Sequence, residues 1–132
     1  MAKLTGAIAH GTWNIYTPLN GVTETTTSST FDIAGAIRIS LAFTRTNHSS
    51  GSSAFKVQVS VDGTTFIDFN KLVTNVENTN AQTEIRVTTV SLGSNTTEIA
   101  TMDLDKSIYK AMKVVVTETT DGTHTAKMLV SY

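Results

Sequence analysis

The feature that most constrains this chain is a hydrophobic alternation with a period of two residues. Between residues 36 and 46 large apolar side chains occupy every second position, and small or polar ones stand between them. One set is Ile37, Ile39, Leu41 and Phe43, and the other is Ala36, Arg38, Ser40 and Thr44. Successive side chains of a strand point to opposite faces, so the pattern predicts a strand with one buried face. Burial of each large apolar side chain contributes about 1.5–3 kcal/mol, which fixes the register.

The same alternation recurs along most of the sequence. Phe55, Val57, Val59 and Val61 form a second inward-facing set. Further predicted strands are Thr12–Thr17, Val22–Thr26, Thr30–Ile33, Thr83–Leu92 and Glu98–Asp103. Within residues 83–92 the apolar phase shifts, which predicts either a bulge near Thr88 or a strand that crosses between two sheets. Eight or nine short strands separated by turns predict an all-β fold, an antiparallel β-sandwich of the jelly-roll kind.

Two Asp-Gly pairs, at residues 62–63 and 121–122, mark predicted hairpins. A three-residue loop at the first pair sets Val57 opposite Ile67, whereas a two-residue turn sets Val57 opposite Asp68. A three-residue loop at the second sets Val116 opposite Ala126. Because these registers pair apolar with apolar side chains, we predict three-residue loops with Gly63 and Gly122 at positive φ. Residues 18–21, Pro-Leu-Asn-Gly, are typical of a turn.

Length and composition exclude several classes of protein. A chain of 132 residues is the size of one domain, and the absence of cysteine excludes disulfides and thiolate metal sites. Ten basic and eleven acidic residues give a net charge of −1 without a basic stripe, which argues against nucleic-acid binding. The sequence contains no run of 18 apolar residues, so no membrane span is predicted, and the N-terminus lacks the pattern of a signal peptide. We therefore expect folding in a reducing cytoplasm.

No group of residues predicts catalysis or metal binding. His10, His48 and His124 lie far apart without a second ligand at metal spacing, and we interpret His48 and His124 as solvated surface residues. The sequence has neither a Gly-x-Ser-x-Gly elbow nor a phosphate-binding glycine loop. The carboxylates in residues 103–105, Asp-Leu-Asp, supply too few oxygens for calcium. The expectation is a protein with no catalytic site, no cofactor and no bound metal.

The N-terminus is the best sequence candidate for an interaction segment. Residues 1–11 form a predicted arm before a single sandwich domain, residues 12–132, and residues 4–9 are apolar and uncharged, including Leu4 and Ile8. Such an arm is expected to add a strand to a sheet edge such as Val22–Thr30, in a neighbouring copy or in its own subunit. Exchange between copies predicts a homo-oligomer, with a trimer as the expected symmetry.

Trp13 and Tyr16 complete the predicted interaction residues. They could stack on a sugar, but residues three apart on a strand point to opposite faces, so a shared platform is not expected. The preferred interpretation is that Trp13 anchors the core or a subunit interface.

Two stretches resemble a known family. Residues 55–66 are similar to the V-x-V-S-x-D-G-x-x-aromatic hairpin of discoidin-like, galactose-binding sandwiches, and residues 109–116 resemble a late strand of those domains. Together the two stretches cover about a fifth of the chain, and the pattern carries no ligand specificity. The whole chain also resembles small tailed-phage virion-surface proteins such as capsid decoration proteins, which are similarly signal-less, cysteine-free and rich in Thr, Ser and Gly.

This second resemblance implies the leading functional hypothesis. The chain is expected to be a virion structural protein on a phage capsid or tail, made in the host cytoplasm, that binds other virion proteins and copies of itself. The alternative is a carbohydrate-binding module whose loops, Asn47–Ser53 and Asn75–Gln82, contact glycans. An enzyme is the third hypothesis, and neither nucleic acid nor membrane is an expected partner.

Overall fold

The computed structural model describes residues 12–74, 85–104 and 108–132, and these form twelve β-strands and no helix. The strands are β1 (Trp13–Val22), β2 (Thr26–Thr27), β3 (Phe31–Asp32), β4 (Arg38–Thr46), β5 (Ser53–Ser60), β6 (Ile67–Asp68), β7 (Leu72–Thr74), β8 (Ile85–Val87), β9 (Thr89–Leu92), β10 (Thr96–Asp103), β11 (Ala111–Glu118) and β12 (Thr123–Ser131).

The strands form two antiparallel sheets of six strands each. Sheet A has the order β1-β12-β4-β10-β7-β8. Sheet B has the order β2-β11-β5-β6, with β3 also paired to β11 and β9 also paired to β5. The prediction of an all-β antiparallel sandwich is confirmed. The strands are more numerous than the expected eight or nine because the segment predicted as one strand, Thr83–Leu92, contains both β8 and β9, and because β7 has three residues, too few to show an alternation.

The core lies between the two sheets and is built from the alternating positions of the central strands. Ile39, Leu41 and Phe43 of β4 face Phe55, Val57 and Val59 of β5, and all six are almost fully buried. The rings of Phe43 and Phe55 stack with their centroids 4.8 Å apart. The sequence alternation therefore identified the buried faces correctly. Two of the predicted inward residues, Ile37 and Val61, are instead exposed because each lies just outside its strand.

The chain crosses from one sheet to the other at Thr88. Strand β8 pairs with β7 in sheet A, whereas β9 pairs with β5 in sheet B. This crossing between the sheets causes the phase shift in residues 83–92, so the sheet-crossing alternative is confirmed. Only one backbone residue separates the two strands, and the two inward-facing phases meet there.

The predicted hairpin at residues 121–122 is wrong. Val116 of β11 pairs with Phe55 in sheet B, and Ala126 of β12 pairs with Phe43 in sheet A. The connection between β11 and β12 thus crosses the end of the sandwich instead of closing a hairpin. Both the predicted hairpin and the observed pairings set apolar residues opposite each other. Apolar pairing alone therefore cannot distinguish a strand that is hydrogen-bonded to β11 from one that lies across the core.

The predicted register of the hairpin at residues 62–63 is also wrong. Val59 pairs with Ile67, and the Phe69 amide donates a 2.8 Å hydrogen bond to the Val57 carbonyl. The register still sets apolar against apolar residues, but the connection is longer than three residues. Gly63 has φ +86° and Gly122 has φ +128°, so the predicted positive φ of both glycines is confirmed.

Residues 18–21 lie within β1, so the predicted turn there is wrong. Strand β1 is an edge strand, and its pairing with β12 shifts register between Tyr16 and Leu19 and again between Leu19 and Val22. These irregularities accommodate Pro18, which lacks an N–H group, and Gly21 at φ +68°. Because Pro18 lies on an edge strand, its missing N–H removes no hydrogen bond between central strands, so β1 continues through it.

Candidate functional site

The outer face of sheet A carries a contiguous set of exposed apolar side chains. Residue pairing places Ile15, Leu129 and Ser40 in one row across β1, β12 and β4, and Lys127, Ala42 and Ile99 in the next row on the same face. Trp13 stands two residues before Ile15 on the same face of β1. Trp13 is 60% exposed, Ile15 64%, Ile99 37% and Leu129 36%. We call Trp13, Ile15, Ile99 and Leu129 the apolar face.

A groove of about 220 Å³ runs along this face. Its walls are mostly large apolar side chains, and its floor is made by small ones on the central strands. The lining residues include Ile15, Ser40, Ala42, Ile99, Lys127 and Leu129. Small side chains at the centre of the sheet leave room above them, and the mostly apolar lining suits an apolar side chain better than a charged ligand.

The structure separates the predicted interaction residues. Trp13 points outward on the apolar face, whereas Tyr16 is half-buried and packs against Phe31 with ring centroids 5.2 Å apart. The two rings therefore share no platform, as their spacing predicted, and Trp13 does not belong to the core. Leu4 and Ile8, like the arm as a whole, lie outside the described residues.

A buried arginine organises one end of the sandwich. Arg45 on β4 is fully buried, and its guanidinium donates four hydrogen bonds to backbone carbonyl oxygens. The acceptors are Ser50 at 3.0 Å, Gly51 at 2.9 Å, Leu92 at 3.0 Å and Asp121 at 2.6 Å. The loop between β4 and β5, the end of β9 and the connection between β11 and β12 are thereby all tied to the Arg45 side chain. Its Nε has no hydrogen-bond partner among the described residues. Because the two terminal nitrogens are bound to the backbone and the side chain is closed to solvent, we assign Arg45 a structural role.

The Asp121 carboxylate completes this arrangement at the surface. It lies 3.6 Å from the Arg45 guanidinium and accepts hydrogen bonds from the hydroxyl and the backbone N–H of Ser49. The Ser49 hydroxyl, followed by its backbone N–H, holds the pKa of the Asp121 carboxyl below its ordinary value. The connection between β4 and β5 is therefore clamped to the crossing between β11 and β12.

His124 is buried beside Arg45, contrary to its interpretation as a solvated residue. Its Nδ1 lies 3.1 Å from the Val22 carbonyl oxygen, which can only accept, so Nδ1 carries the proton. Nε2 then accepts the 2.7 Å hydrogen bond of the Ser53 hydroxyl. A serine and a histidine in contact resemble a nucleophile and its base, but both side chains are fully buried. Their hydrogen bond joins β5 to β12 across the core.

The loop Asn47–Ser53, which the carbohydrate-binding alternative invoked, uses its polar groups internally. His48 contacts the Asn95 side chain, and Asn47 donates a hydrogen bond to Thr123. The exposed tryptophan lies on the apolar face, away from this loop. The second loop of that alternative, Asn75–Gln82, lies outside the described residues.

At the opposite end of the sandwich, Asp62 closes the connection between β5 and β6. Its Oδ1 accepts the backbone N–H of Thr64 at 2.8 Å and of Thr65 at 2.9 Å, and also the Ser60 hydroxyl. The backbone N–H of Thr65, then that of Thr64, holds the pKa of Asp62 far below its ordinary range. This local turn explains why the connection is longer than three residues, and a search for apolar pairs alone misses it.

Among the described residues, no three histidine or acidic side chains lie close enough together to hold a metal ion. The same part of the chain contains no helix that is long and apolar enough to cross a membrane. Asp103 belongs to the described residues, whereas Asp105, the other carboxylate considered for calcium, does not.

Two functional features were missed from the sequence, and each had a signal. The inward phase of β4, extended by two residues from Phe43, reaches Arg45. Trp13 and Ile15 share a face of one strand, as do Lys127 and Leu129 on another. The sequence cannot reveal that β1, β12, β4 and β10 are neighbours, and this adjacency joins the scattered residues into one face.

No protein-family model matches the sequence, and no curated protein matches it either. Solved structures do resemble the fold. The chain is similar to the SPBc2 prophage-derived protein YomS, with a TM-score of 0.62 and 19% sequence identity over 92% of this chain and 94% of that one. It also aligns with PirA at a TM-score of 0.39 and 12% identity, over 95% of this chain and 99% of that one. The likeness to YomS is one of fold.

Proposed function

We propose that this chain is a non-enzymatic virion structural protein of a phage, located on the capsid surface or the tail, that acts through protein–protein contacts. The observation that carries the proposal is the apolar face. The largest apolar patch on a typical monomeric protein spans about 300–600 Å² and is often the site where another molecule binds. Here Trp13, Ile15, Ile99 and Leu129 form such a patch beside a groove with one charged lining residue.

The fold and the buried polar groups support this proposal. The structure that the chain resembles over nine-tenths of its length is that of a prophage-derived protein. The reactive-looking Ser53–His124 pair is enclosed by the core, and the buried Arg45 side chain donates four hydrogen bonds to backbone carbonyls. The buried polar side chains hold the loops of the sandwich, and the apolar face points to solvent. This arrangement suits a structural subunit better than a catalyst.

Quantitative mass spectrometry of particles tests the proposal. Particles released by a bacterial strain that carries the gene are purified on a density gradient and washed in high salt. We expect the chain at a fixed copy number relative to the major head or tail protein. A chain that is abundant in the lysate but absent from washed particles would contradict the proposal.

A further inference from the structure

We propose that the apolar face is a two-fold self-association surface, in which Trp13 of each copy enters the groove of the other. This inference rests on the proposed function and names its partner, a second copy of the chain. A two-fold interface must be self-complementary, so the same surface has to present both a projection and a recess. The outer face of sheet A presents both.

The projection and the recess match in size and chemistry. Trp13 is a large side chain, 60% exposed, on the edge strand β1. The groove, at about 220 Å³, has the small side chains of Ser40 and Ala42 on its floor. Apolar cavities of about 150 Å³ accept benzene, so this groove has room for an indole ring. Tryptophan in a desolvated pocket is the commonest type of interface hot spot.

The exposed apolar area also matches one side of a stable dimer. The four side chains of the apolar face expose on the order of 400 Å² of apolar surface in total. A standard interface buries about 800 Å² per partner, of which somewhat more than half is apolar. The apolar content of such an interface is therefore already present on this face, and the surrounding serine and threonine side chains supply a polar rim.

The positions of knob and groove locate the symmetry axis. The groove is centred on β4, two strands from β1 and thus about 10 Å from Trp13 across the sheet. A two-fold axis that brings two such faces together lies parallel to the sheet, between the two copies, and passes midway between knob and groove, over β12 near Leu129. The long apolar stem of Lys127 can cover the groove while its ammonium group reaches water.

The protein carries its own probe of this contact. Trp13 is the one tryptophan in the sequence, so intrinsic fluorescence reports on this side chain alone. For the purified full chain, we expect sedimentation to show dimers. As the concentration rises, the emission should shift to shorter wavelength and acrylamide should quench it less. Trp13→Ser and Ala42→Glu, which remove the knob and fill the groove, should each weaken dimerisation more than about tenfold.

Ile67→Ser is the matched control, because Ile67 is equally exposed (62%) but lies on β6 in sheet B. It should leave the dimer unchanged, and circular dichroism should show all three variants folded. The chain has no cysteine, so Leu129→Cys introduces a single thiol. Facing sheets lie about 10 Å apart, so a short bismaleimide should join two such thiols at the axis. The same change at Ile67 should give no cross-linked dimer.

Several outcomes would overturn the inference. They are a wild-type monomer at high concentration with a fully quenchable tryptophan, a trimer in place of a dimer, or a dimer that survives both Trp13→Ser and Ala42→Glu. Failure here is distinct from failure of the proposed function. If the protein is a monomer in solution but is present in washed particles, only the self-association is contradicted. If it is a dimer but is absent from particles, only the virion role is contradicted.

Discussion

At the residue scale, two buried polar side chains hold one end of the sandwich. Arg45 and His124 both lie fully within the core, where an unpaired charge or polar atom would be costly. Four carbonyl oxygens converge on the terminal nitrogens of Arg45 and offset most of this cost, although its Nε has no hydrogen-bond partner among the described residues, and His124 is hydrogen-bonded to Val22 and Ser53. Buried polar groups of this kind specify which loops meet, since few other arrangements supply so many acceptors to one side chain.

Arg45→Met should destabilise the protein by about 3–5 kcal/mol, because four carbonyl oxygens, one in a buried hydrogen bond and three in part-buried ones, lose their donor together. Urea denaturation measures this loss. Amide exchange should also quicken in residues 47–52 and 119–122, which Arg45 ties together. Arg86→Met is the control, because Arg86 is exposed on β8 and its replacement should change stability by less than about 0.5 kcal/mol. Similar losses for the two variants would contradict the role of Arg45.

Gly122→Ala should destabilise the protein by about 2 kcal/mol or more. Gly122 has φ +128°, and a Cβ there would lie 2.8 Å from Arg45 Nε and 3.1 Å from His124 Nε2. Gly93→Ala is the matched control, since nothing lies within 4 Å of its Cβ position and its φ is not in the left-handed region. Thermal melting compares the two. A Gly122→Ala protein as stable as Gly93→Ala would show that the backbone at residue 122 does not need glycine.

At the scale of elements, connections rather than strands decide where the chain goes. The β5–β6 connection is set by Ser60, whose hydroxyl accepts the Gly63 N–H at 2.8 Å, and by Asp62, which accepts two further backbone N–H groups. The β11–β12 connection is set by Asp121 and Gly122 against Arg45. Both contain Asp-Gly, yet one returns within a sheet and the other crosses to the opposite sheet.

Asp62→Asn tests the first connection through its pH dependence. The folded-state pKa of Asp62 is depressed, so its contribution to stability is present above the unfolded value of about 3.9 and is lost as pH falls below it. We expect the wild type to melt at a higher temperature than the variant at pH 6. The difference should shrink towards pH 2, because the unfolded state takes up a proton below its own pKa while the folded carboxylate is still ionised. A difference that stays constant from pH 6 to pH 2 would contradict this role of the carboxylate.

At the scale of the whole molecule, the sandwich presents two chemically different surfaces. One end is covered by hydrogen-bonded loops anchored on Arg45, and the outer face of sheet A exposes Trp13 and its apolar neighbours. The chain enters sheet A at Thr12, whose carbonyl accepts the backbone N–H of Tyr132, beside this apolar face. Residues 1–11 therefore connect to the sandwich next to the surface that we propose for self-association.

A variant that lacks residues 1–10 should keep the sandwich but lose its hold on the particle. The reason is chemical: residues 4–9 are apolar and uncharged, as expected of a segment that adds to a sheet edge of a partner. Thermal melting should show an intact fold, and co-sedimentation with particles should fall well below that of the full chain. A shortened protein that unfolds, or that binds particles as before, would count against docking through the arm.

The sequence by itself determined the all-β class, the inward faces of β4 and β5, the positive φ of Gly63 and Gly122, and the phase shift at Thr88. These are local properties, because side-chain alternation, backbone φ and turn chemistry depend on neighbours along the chain. Only the tertiary structure decided that β11 and β12 belong to different sheets, that Arg45 and His124 are buried, and that Trp13, Ile15, Ile99 and Leu129 share a face. Each of these joins residues distant in sequence, and several strand pairings satisfy the same apolar pattern until the whole sandwich selects one.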